Sequence, residues 1–177
     1  MGGVASMKGK QTVRDMVLSM ALIGAVAGGV YLLVPHDDSL DPIKPVDYRV
    51  ELITARRAAP YPVAAPVGLP KTWRPTSVSY EGQDGNAWHL GYLDPDGEYV
   101  AVEQSTGDAE KFIAEVSQDA TKTDRTQQVG GDSWQRWEGP KYDALVRQEK
   151  GATTVVTGTA SHERLTKMAA ALETKKS

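Results

Sequence analysis

An uninterrupted apolar run dominates the N-terminal part of the chain. Among its nineteen residues, 16–34, only Ser19 and Tyr31 carry polar side-chain atoms. A helix rises about 1.5 Å per residue, so this run reaches about 28 Å, which matches the hydrocarbon core of a bilayer. The pattern therefore predicts a transmembrane helix over residues 16–34.

A cleaved signal peptide is the alternative interpretation of this run. Ala25-Val26-Ala27 resembles a small-x-small cleavage site that follows a basic start. The apolar run nevertheless continues from Val30 to Val34, whereas the apolar part of a signal peptide spans about 7–15 residues and then turns polar. We therefore expect an anchor that remains in the mature protein.

Charges on either side of the run predict its orientation. Three basic residues precede it and three acidic residues follow it: Lys8, Lys10 and Arg14, then Asp37, Asp38 and Asp41. The positive-inside rule places residues 1–15 in the cytoplasm as an N-terminal tail and everything after Val34 outside. The expected localisation is the cell membrane, with a single pass.

A small-residue motif inside the run predicts a contact between helices. Gly24 and Gly28 form a G-x-x-x-G spacing, which lets two membrane helices approach closely. Glycine is frequent in transmembrane helices in general. The motif predicts a homodimer, with Gly24 and Gly28 as the packing residues.

The chain becomes polar after the run and then alternates. Three prolines interrupt residues 35–47, which show no apolar period and are predicted to form an extended stalk. Tyr48, Val50 and Leu52 then alternate with polar residues, which predicts a half-buried strand. Four prolines in the segment 58–70 predict a loop or an edge strand, because proline cannot donate to a sheet ladder.

The middle of the chain predicts a hairpin. Trp88, Leu90 and Tyr92 alternate, a turn follows at 94–97, and the chain returns through a second alternating segment. Proline and glycine suit such turns. A short alternating strand in the segment 76–82 precedes the hairpin.

Two capped helices and three strands complete the pattern. Asp108 is predicted to cap a helix in which Ala109, Phe112, Ile113 and Val116 share one face. Strands are predicted over 133–139, 142–150 and 153–160, as a meander. Ser161 caps a last helix, followed by a charged tail over 174–177. The order predicts an α+β extracytoplasmic domain over 48–173, with an antiparallel sheet and helices packed on one face.

Composition narrows the function classes. The chain has 177 residues, a net charge of −3 and no cysteine. The absence of cysteine excludes disulfides, a thiolate nucleophile and cysteine metal sites. A nucleic-acid partner is not expected, because such proteins present a basic face.

The hairpin turn resembles part of a calcium-binding loop. Asp94, Asp96 and Glu98 alternate as in the first half of a calcium loop. Pro95, the early glycine and the lack of a downstream bidentate glutamate depart from the EF-hand pattern. Turn chemistry explains the same residues, so we expect no metal and no cofactor.

His89 is the candidate general base. It lies on the strand face opposite Trp88 and Leu90, and Asp84 or Asp94 is its expected acidic partner. The alternative interpretation is a solvated strand histidine. No catalytic nucleophile can be read from isolated residues, because triads are recognised by geometry.

Tryptophans and adjacent arginines are the candidate binding residues. Core packing is the first interpretation of each tryptophan, and a ligand or partner surface is the second. Positions 134 and 137 of a strand point to opposite faces, so only one of them needs to be buried. Trp73 lies between Pro70 and Pro75, which hold the local path of the chain. The candidates are Trp73, Arg74, His89, Trp134, Arg136 and Trp137.

Four segments resemble a known family. They are RDMVLSMALIGAVAGG (14–29), LVPHDDSLDPIKPVDY (33–48), APVGLPKTWRPTSVSYE (65–81) and GGDSWQRWEG (130–139). Over nearly its full length, with Pro70 to Ser77 as the most specific part, the chain resembles the DUF4245 family of actinobacterial single-pass membrane proteins of unknown function. The resemblance implies an anchor and one extracytoplasmic domain, but it implies no activity and no site residues.

We expect a membrane-anchored extracytoplasmic binding or protein-interaction module without catalysis. Its expected partners are the lipid bilayer, through residues 16–34, and a protein of the membrane or cell envelope. The alternative is an anchored hydrolase that uses His89 as general base. A pocket that joins His89 to a serine and an acid would favour the enzyme, whereas a shallow aromatic groove would favour binding.

Overall fold

A computed structural model describes residues 8–33, 44–149 and 151–176 in two compact units, 1–42 and 43–177. In the first unit, one helix, α1, extends over Lys8–Leu33 and contains both glycines of the G-x-x-x-G motif. Within the described ranges, no helix combines the length and the apolar character needed to span a membrane. The anchor and the homodimer therefore stay predictions, and Val34 and the stalk up to residue 43 lie outside the described residues.

The second unit alternates strands and helices. Its described elements are α2 (Arg49–Ala58), β1 (Val63–Pro66), β2 (Arg74–Glu81), β3 (Ala87–Leu93), β4 (Tyr99–Ser105), α3 (Ala109–Val116), β5 (Thr121–Val129), β6 (Asp132–Glu138), β7 (Asp143–Glu149), β8 (Ala152–Gly158), α4 (His162–Ala171) and β9 (Leu172–Lys175).

Both sheets of this unit are antiparallel. Seven strands pair in the order β2-β3-β4-β8-β7-β6-β5, and β1 pairs with β9 in a separate two-stranded sheet. The predicted α+β class, the β3–β4 hairpin and the β6–β7–β8 meander are confirmed. Asp108 and Ser161 cap α3 and α4 as predicted, since each side chain accepts a backbone N–H of the first helical turn.

The helices pack on both faces of the seven-stranded sheet, so the predicted packing on one face is wrong. Val156 belongs to the main core together with Leu165 of α4 and Ala55 of α2. Its neighbour Val155 belongs to a second core with Ile113 of α3. Consecutive strand residues point to opposite faces, and therefore α2 and α4 cover the face opposite α3.

The predicted strand at 48–52 is also wrong, because this segment leads into helix α2. Leu52, Ala55 and Ala59 recur at helical spacing and face the main core, whereas Val50 is 74% exposed. The N–H of Arg49 donates to the Asp47 carboxylate (3.1 Å), which supports the helix start. Ala59 takes an extended conformation before Pro60, as expected for a residue that precedes proline.

Two strands, β5 and β9, lie where no strand was predicted. The proline-rich segment 58–70 contains the edge strand β1, within the predicted range of loop or edge. Its partner β9 takes up part of the predicted charged tail. β5 was missed because most of its side chains are polar and exposed.

Candidate functional site

The tryptophans divide into three core residues and one groove residue. Trp73, Trp88 and Trp134 are each at most 4% exposed and belong to the main core. Trp137 is half-buried against the second core. Positions 134 and 137 thus face opposite sides of the sheet, as predicted.

The predicted binding residues do not form one site. Arg136 pairs with Leu145, a residue of the main core, so it lies on the sheet face opposite Trp137. A guanidinium stacks on the buried Trp134, where Arg147 Cζ lies 4.9 Å from the ring centroid. Arg74 is half-buried in β2, next to the buried Trp73.

Trp137 lies in a groove on the α3 side of the sheet. α3 packs on the central strands β4 and β8, and the groove opens beside it over β5, β6 and β7. We call it the Trp137 groove, and its volume is about 230 Å³. Its lining residues are Ile113, Lys122, Thr126, Ser133, Gln135, Trp137, Val146 and Gln148.

The Trp137 groove combines an apolar floor with a polar rim. Ile113 and Val146 are buried, whereas Lys122 and Gln148 are exposed. The indole N–H of Trp137 is buried, and no described residue accepts a hydrogen bond from it. A buried donor without an acceptor is uncommon in folded proteins, and a ligand that brings an acceptor would satisfy it.

Gln135 shapes the wall of this groove. Its side-chain amide donates to the carbonyls of Thr123 (2.7 Å) and Arg125 (2.9 Å) on the neighbouring strand. The pairing of β5 with β6 shifts register between Lys122 and Thr126. The amide therefore holds an irregular edge strand, which is a common device next to binding sites.

A second polar arrangement crosses β2, β3 and β4. Ser77 Oγ lies 2.7 Å from His89 Nε2, and His89 Nδ1 lies 2.6 Å from Glu103 Oε1. We call these three residues the Ser77 relay. They lie on the α3 side of the sheet, and Glu103 is paired directly with His89 in the strand register.

The acidic partner predicted for His89 is wrong. Asp94 instead caps the hairpin turn, where it accepts the N–H groups of Asp96 and Glu98 at 2.9 Å. Glu103 could have been found only to within one residue, because a turn at 94–97 places Val102 opposite His89, whereas the observed register pairs His89 with Glu103. Ser77 could not, since the register of β2 is not visible in the sequence.

Burial and pairing shift the pKa values of the Ser77 relay. Burial lowers the pKa of His89, but the hydrogen bond and the charge of Glu103 outweigh it, so the net pKa is raised. Burial raises the pKa of Glu103, and the interactions with His89 oppose this only in part. The side chains are 28% and 11% exposed, respectively, so solvent reaches His89 more readily than Glu103.

Gly91 and Tyr99 complete the surroundings of Ser77. A methyl group at Gly91 would overlap Ser77 Oγ and lie 3.1 Å from the Tyr99 hydroxyl. Burial and the charge of Glu103 raise the pKa of Tyr99 to about 12, although a hydrogen bond with Ser77 opposes the shift. Tyr99 is therefore a protonated donor at neutral pH, and the absence of a side chain at residue 91 lets Ser77 Oγ and the Tyr99 hydroxyl lie close together over the strand.

The two arrangements are separate. The Ser77 relay occupies β2, β3 and β4, whereas Trp137 lies on β6, four positions from β3 in the strand order. At about 4.8 Å per strand, this separation is roughly 19 Å. His89 and Trp137 therefore cannot act on the same atoms.

The two aspartates of the hairpin turn take part in ion pairs. Asp94 and Asp96 both pair with Arg164, at 3.5 Å and 2.5 Å. Among the residues that the structure describes, no three histidine, aspartate or glutamate side chains are grouped so that they could hold a metal ion.

Comparison with known proteins gives one family. A family model described as "Protein of unknown function (DUF4245)" matches residues 8–172, which is most of the chain. No curated protein matches the chain.

Proposed function

We propose that this chain, which belongs to the DUF4245 family, is a membrane-anchored module that binds a protein of the membrane or cell envelope in the Trp137 groove. The anchor is the apolar run 16–34, and basic residues before it with acidic residues after it support a cytoplasmic N-terminus. The second unit then lies outside the membrane, and pairing through Gly24 and Gly28 would make the protein a homodimer.

One observation carries the proposed binding site. The indole N–H of Trp137 is buried without an acceptor among the described residues, and it belongs to a residue that lines an open groove. Leaving such a donor unpaired costs about 1–3 kcal/mol, which a bound acceptor would recover. Tryptophan is also enriched among the residues that dominate binding energy at protein interfaces.

The lining of the groove indicates the chemistry of the partner. Ile113 and Val146 suit an apolar side chain, and Gln148 offers an amide that both donates and accepts. Lys122 favours an acceptor that is neutral or negatively charged. A peptide segment with an apolar side chain and a free carbonyl or carboxylate oxygen meets these requirements.

Site-specific photo-crosslinking in native membranes tests the binding site. A photoreactive residue at Gln148 should crosslink a partner, whereas the same residue at Lys167, which is exposed on α4 across the sheet, should not. Trp137→Phe keeps an aromatic ring but removes the N–H, so the crosslink at Gln148 should decrease at least tenfold. Equal crosslinking in Trp137→Phe and the parent chain, or from both positions, would contradict the proposal.

Cysteine labelling tests the topology, since the chain has no native cysteine. A membrane-impermeant maleimide should label Lys167→Cys on intact cells. It should label Ser6→Cys, in the predicted cytoplasmic tail, only after permeabilisation. The reverse labelling pattern would overturn the orientation, and release of the chain into the medium would overturn the anchor.

A further inference from the structure

We propose that the Ser77 relay is a nucleophilic site that hydrolyses small carboxylic esters. The inference goes beyond binding in the Trp137 groove and does not depend on it. It rests on a continuous chain of two hydrogen bonds. Ser77 lies 2.7 Å from one imidazole nitrogen of His89, and Glu103 lies 2.6 Å from the other. Sequence order and strand position do not define such a site, because its recognition depends on geometry and roles.

The two imidazole nitrogens of His89 contact different relay residues. Glu103 takes the N–H of Nδ1, so the neutral ring leaves the lone pair of Nε2 toward Ser77 Oγ. That tautomer is the one a general base needs. A histidine with both nitrogens on backbone groups would have a structural role only.

The position of Glu103 suits it to stabilise a charged His89. Its side chain is 11% exposed and lies against His89, so its charge is only weakly screened by solvent. The carboxylate can then stabilise the imidazolium that forms when His89 takes a proton. Glu103 also borders a cleft of about 300 Å³ beside α3, whose lining includes Phe112 and Lys111.

Tyr99 supplies a donor for the developing negative charge. Its hydroxyl lies next to Ser77 and 3.1 Å from a methyl group placed at residue 91. Because burial keeps the phenol protonated, it can donate to an oxyanion formed beside Ser77 Oγ. The side chains of Ser77 and Tyr99 occupy the space over Gly91, which leaves little room beside Ser77 Oγ, so the acyl portion of the substrate should be short.

The reaction balances with water as the only co-reactant. Ser77 Oγ attacks the ester carbonyl carbon, and His89 Nε2 accepts the hydroxyl proton as the new C–O bond forms. The imidazolium returns this proton to the alcohol oxygen as the ester C–O bond breaks, which leaves acyl-Ser77. Water attacks the acyl carbon and gives its proton to Nε2, which passes it to Ser77 Oγ as the carboxylic acid leaves.

The test uses the full chain in detergent with a fluorophosphonate probe and p-nitrophenyl acetate. Mass spectrometry should locate the phosphonyl group on Ser77, and Ser77→Ala should abolish both labelling and ester hydrolysis. His89→Gln should lower both by at least about 100-fold. Ser79→Ala is the matched control and should keep the parent rate, because Ser79 lies on the same strand and face but outside the relay.

Two further variants separate chemistry from folding. Gly91→Ala retains all three relay residues but displaces Ser77 Oγ, so labelling should fall as in Ser77→Ala. Glu103→Gln removes the charge that raises the pKa of His89. It should slow hydrolysis and move the acid limb of the pH–rate profile to lower pH, a shift that a purely structural role of Glu103 would not produce.

Three results would overturn the inference. The first is equal phosphonyl labelling of Ser77 and Ser79 in the parent chain, or stronger labelling of Ser79. This comparison needs no variant. The second is equal hydrolysis by Ser77→Ala and the parent chain. The third is an unchanged labelling rate in Gly91→Ala with an unchanged thermal melt.

Discussion

Truncation of Trp73 provides a quantitative test of the core. This side chain is 4% exposed and belongs to the main core, and removal of a buried tryptophan costs about 3–5 kcal/mol. Its indole N–H is buried, and no described residue accepts a hydrogen bond from it. Truncation therefore also removes the penalty of about 1–3 kcal/mol for the unpaired N–H. The expected loss of unfolding free energy in Trp73→Ala is then near the lower end of the range, at about 3 kcal/mol.

Thermal unfolding of the full chain in detergent, followed by circular dichroism, measures this effect. For a unit of this size, about 3 kcal/mol lowers the Tm by roughly 10 °C. Lys71→Ala is the matched control, since Lys71 is exposed in the same proline-bounded segment and its change should stay within about 0.5 kcal/mol. An unchanged Tm for Trp73→Ala would refute the core assignment and make Trp73 a recognition residue.

Three further perturbations have definite expected outcomes. Asp108→Ala removes the cap that accepts the Lys111 N–H at 2.9 Å, so urea unfolding should show a loss of about 1 kcal/mol; no loss would contradict the cap. Gly158→Ala places a methyl group 2.7 Å from the Tyr99 carbonyl carbon, so the Tm should fall sharply, and an unchanged Tm would contradict this close approach. Because the folded pKa of His89 is raised, its contribution to stability is full below about pH 6.5 and is lost as the pH rises through the folded value. His89→Gln should therefore destabilise more at about pH 6 than at about pH 9, and the opposite trend would contradict the pairing with Glu103.

Turn residues, caps and short apolar patterns predicted the elements that depend on neighbouring residues only. The β3–β4 hairpin follows from the turn at 94–97 and the alternation before it, and the α3 cap follows from Asp108 ahead of an apolar face. The strand prediction for segment 48–52 was wrong because five residues fit period two and the helical period equally well. The buried Ala55 and Ala59, which decide for the helix, lie beyond that window.

The packing of helices on both faces of the sheet was predictable in part. Val155 and Val156 are consecutive, and both are fully buried, so an apolar pair in a strand indicates a sheet covered on both faces. β5 gave no such signal because it is an edge strand whose side chains are mostly exposed.

The candidate sites depend on register and long-range packing. Glu103 requires the observed hairpin register, from which a turn at 94–97 is one residue off. Ser77 requires the pairing of β2 with β3, which includes a bulge between Pro75 and Ser77. The Trp137 groove requires the placement of α3 over β8, and no periodicity in the sequence determines that placement.

Indole N–H resonances provide the most direct measurement of binding in the Trp137 groove. The chain has four tryptophans, and Trp137→Phe would assign one of four indole cross-peaks in a ¹⁵N spectrum of the full chain in detergent. With the crosslinked partner segment added as a peptide, the Trp137 cross-peak should shift, whereas that of Trp88, whose N–H donates to the Ala64 carbonyl at 3.0 Å, should stay in place. A bound peptide that leaves the Trp137 cross-peak unchanged would contradict the account.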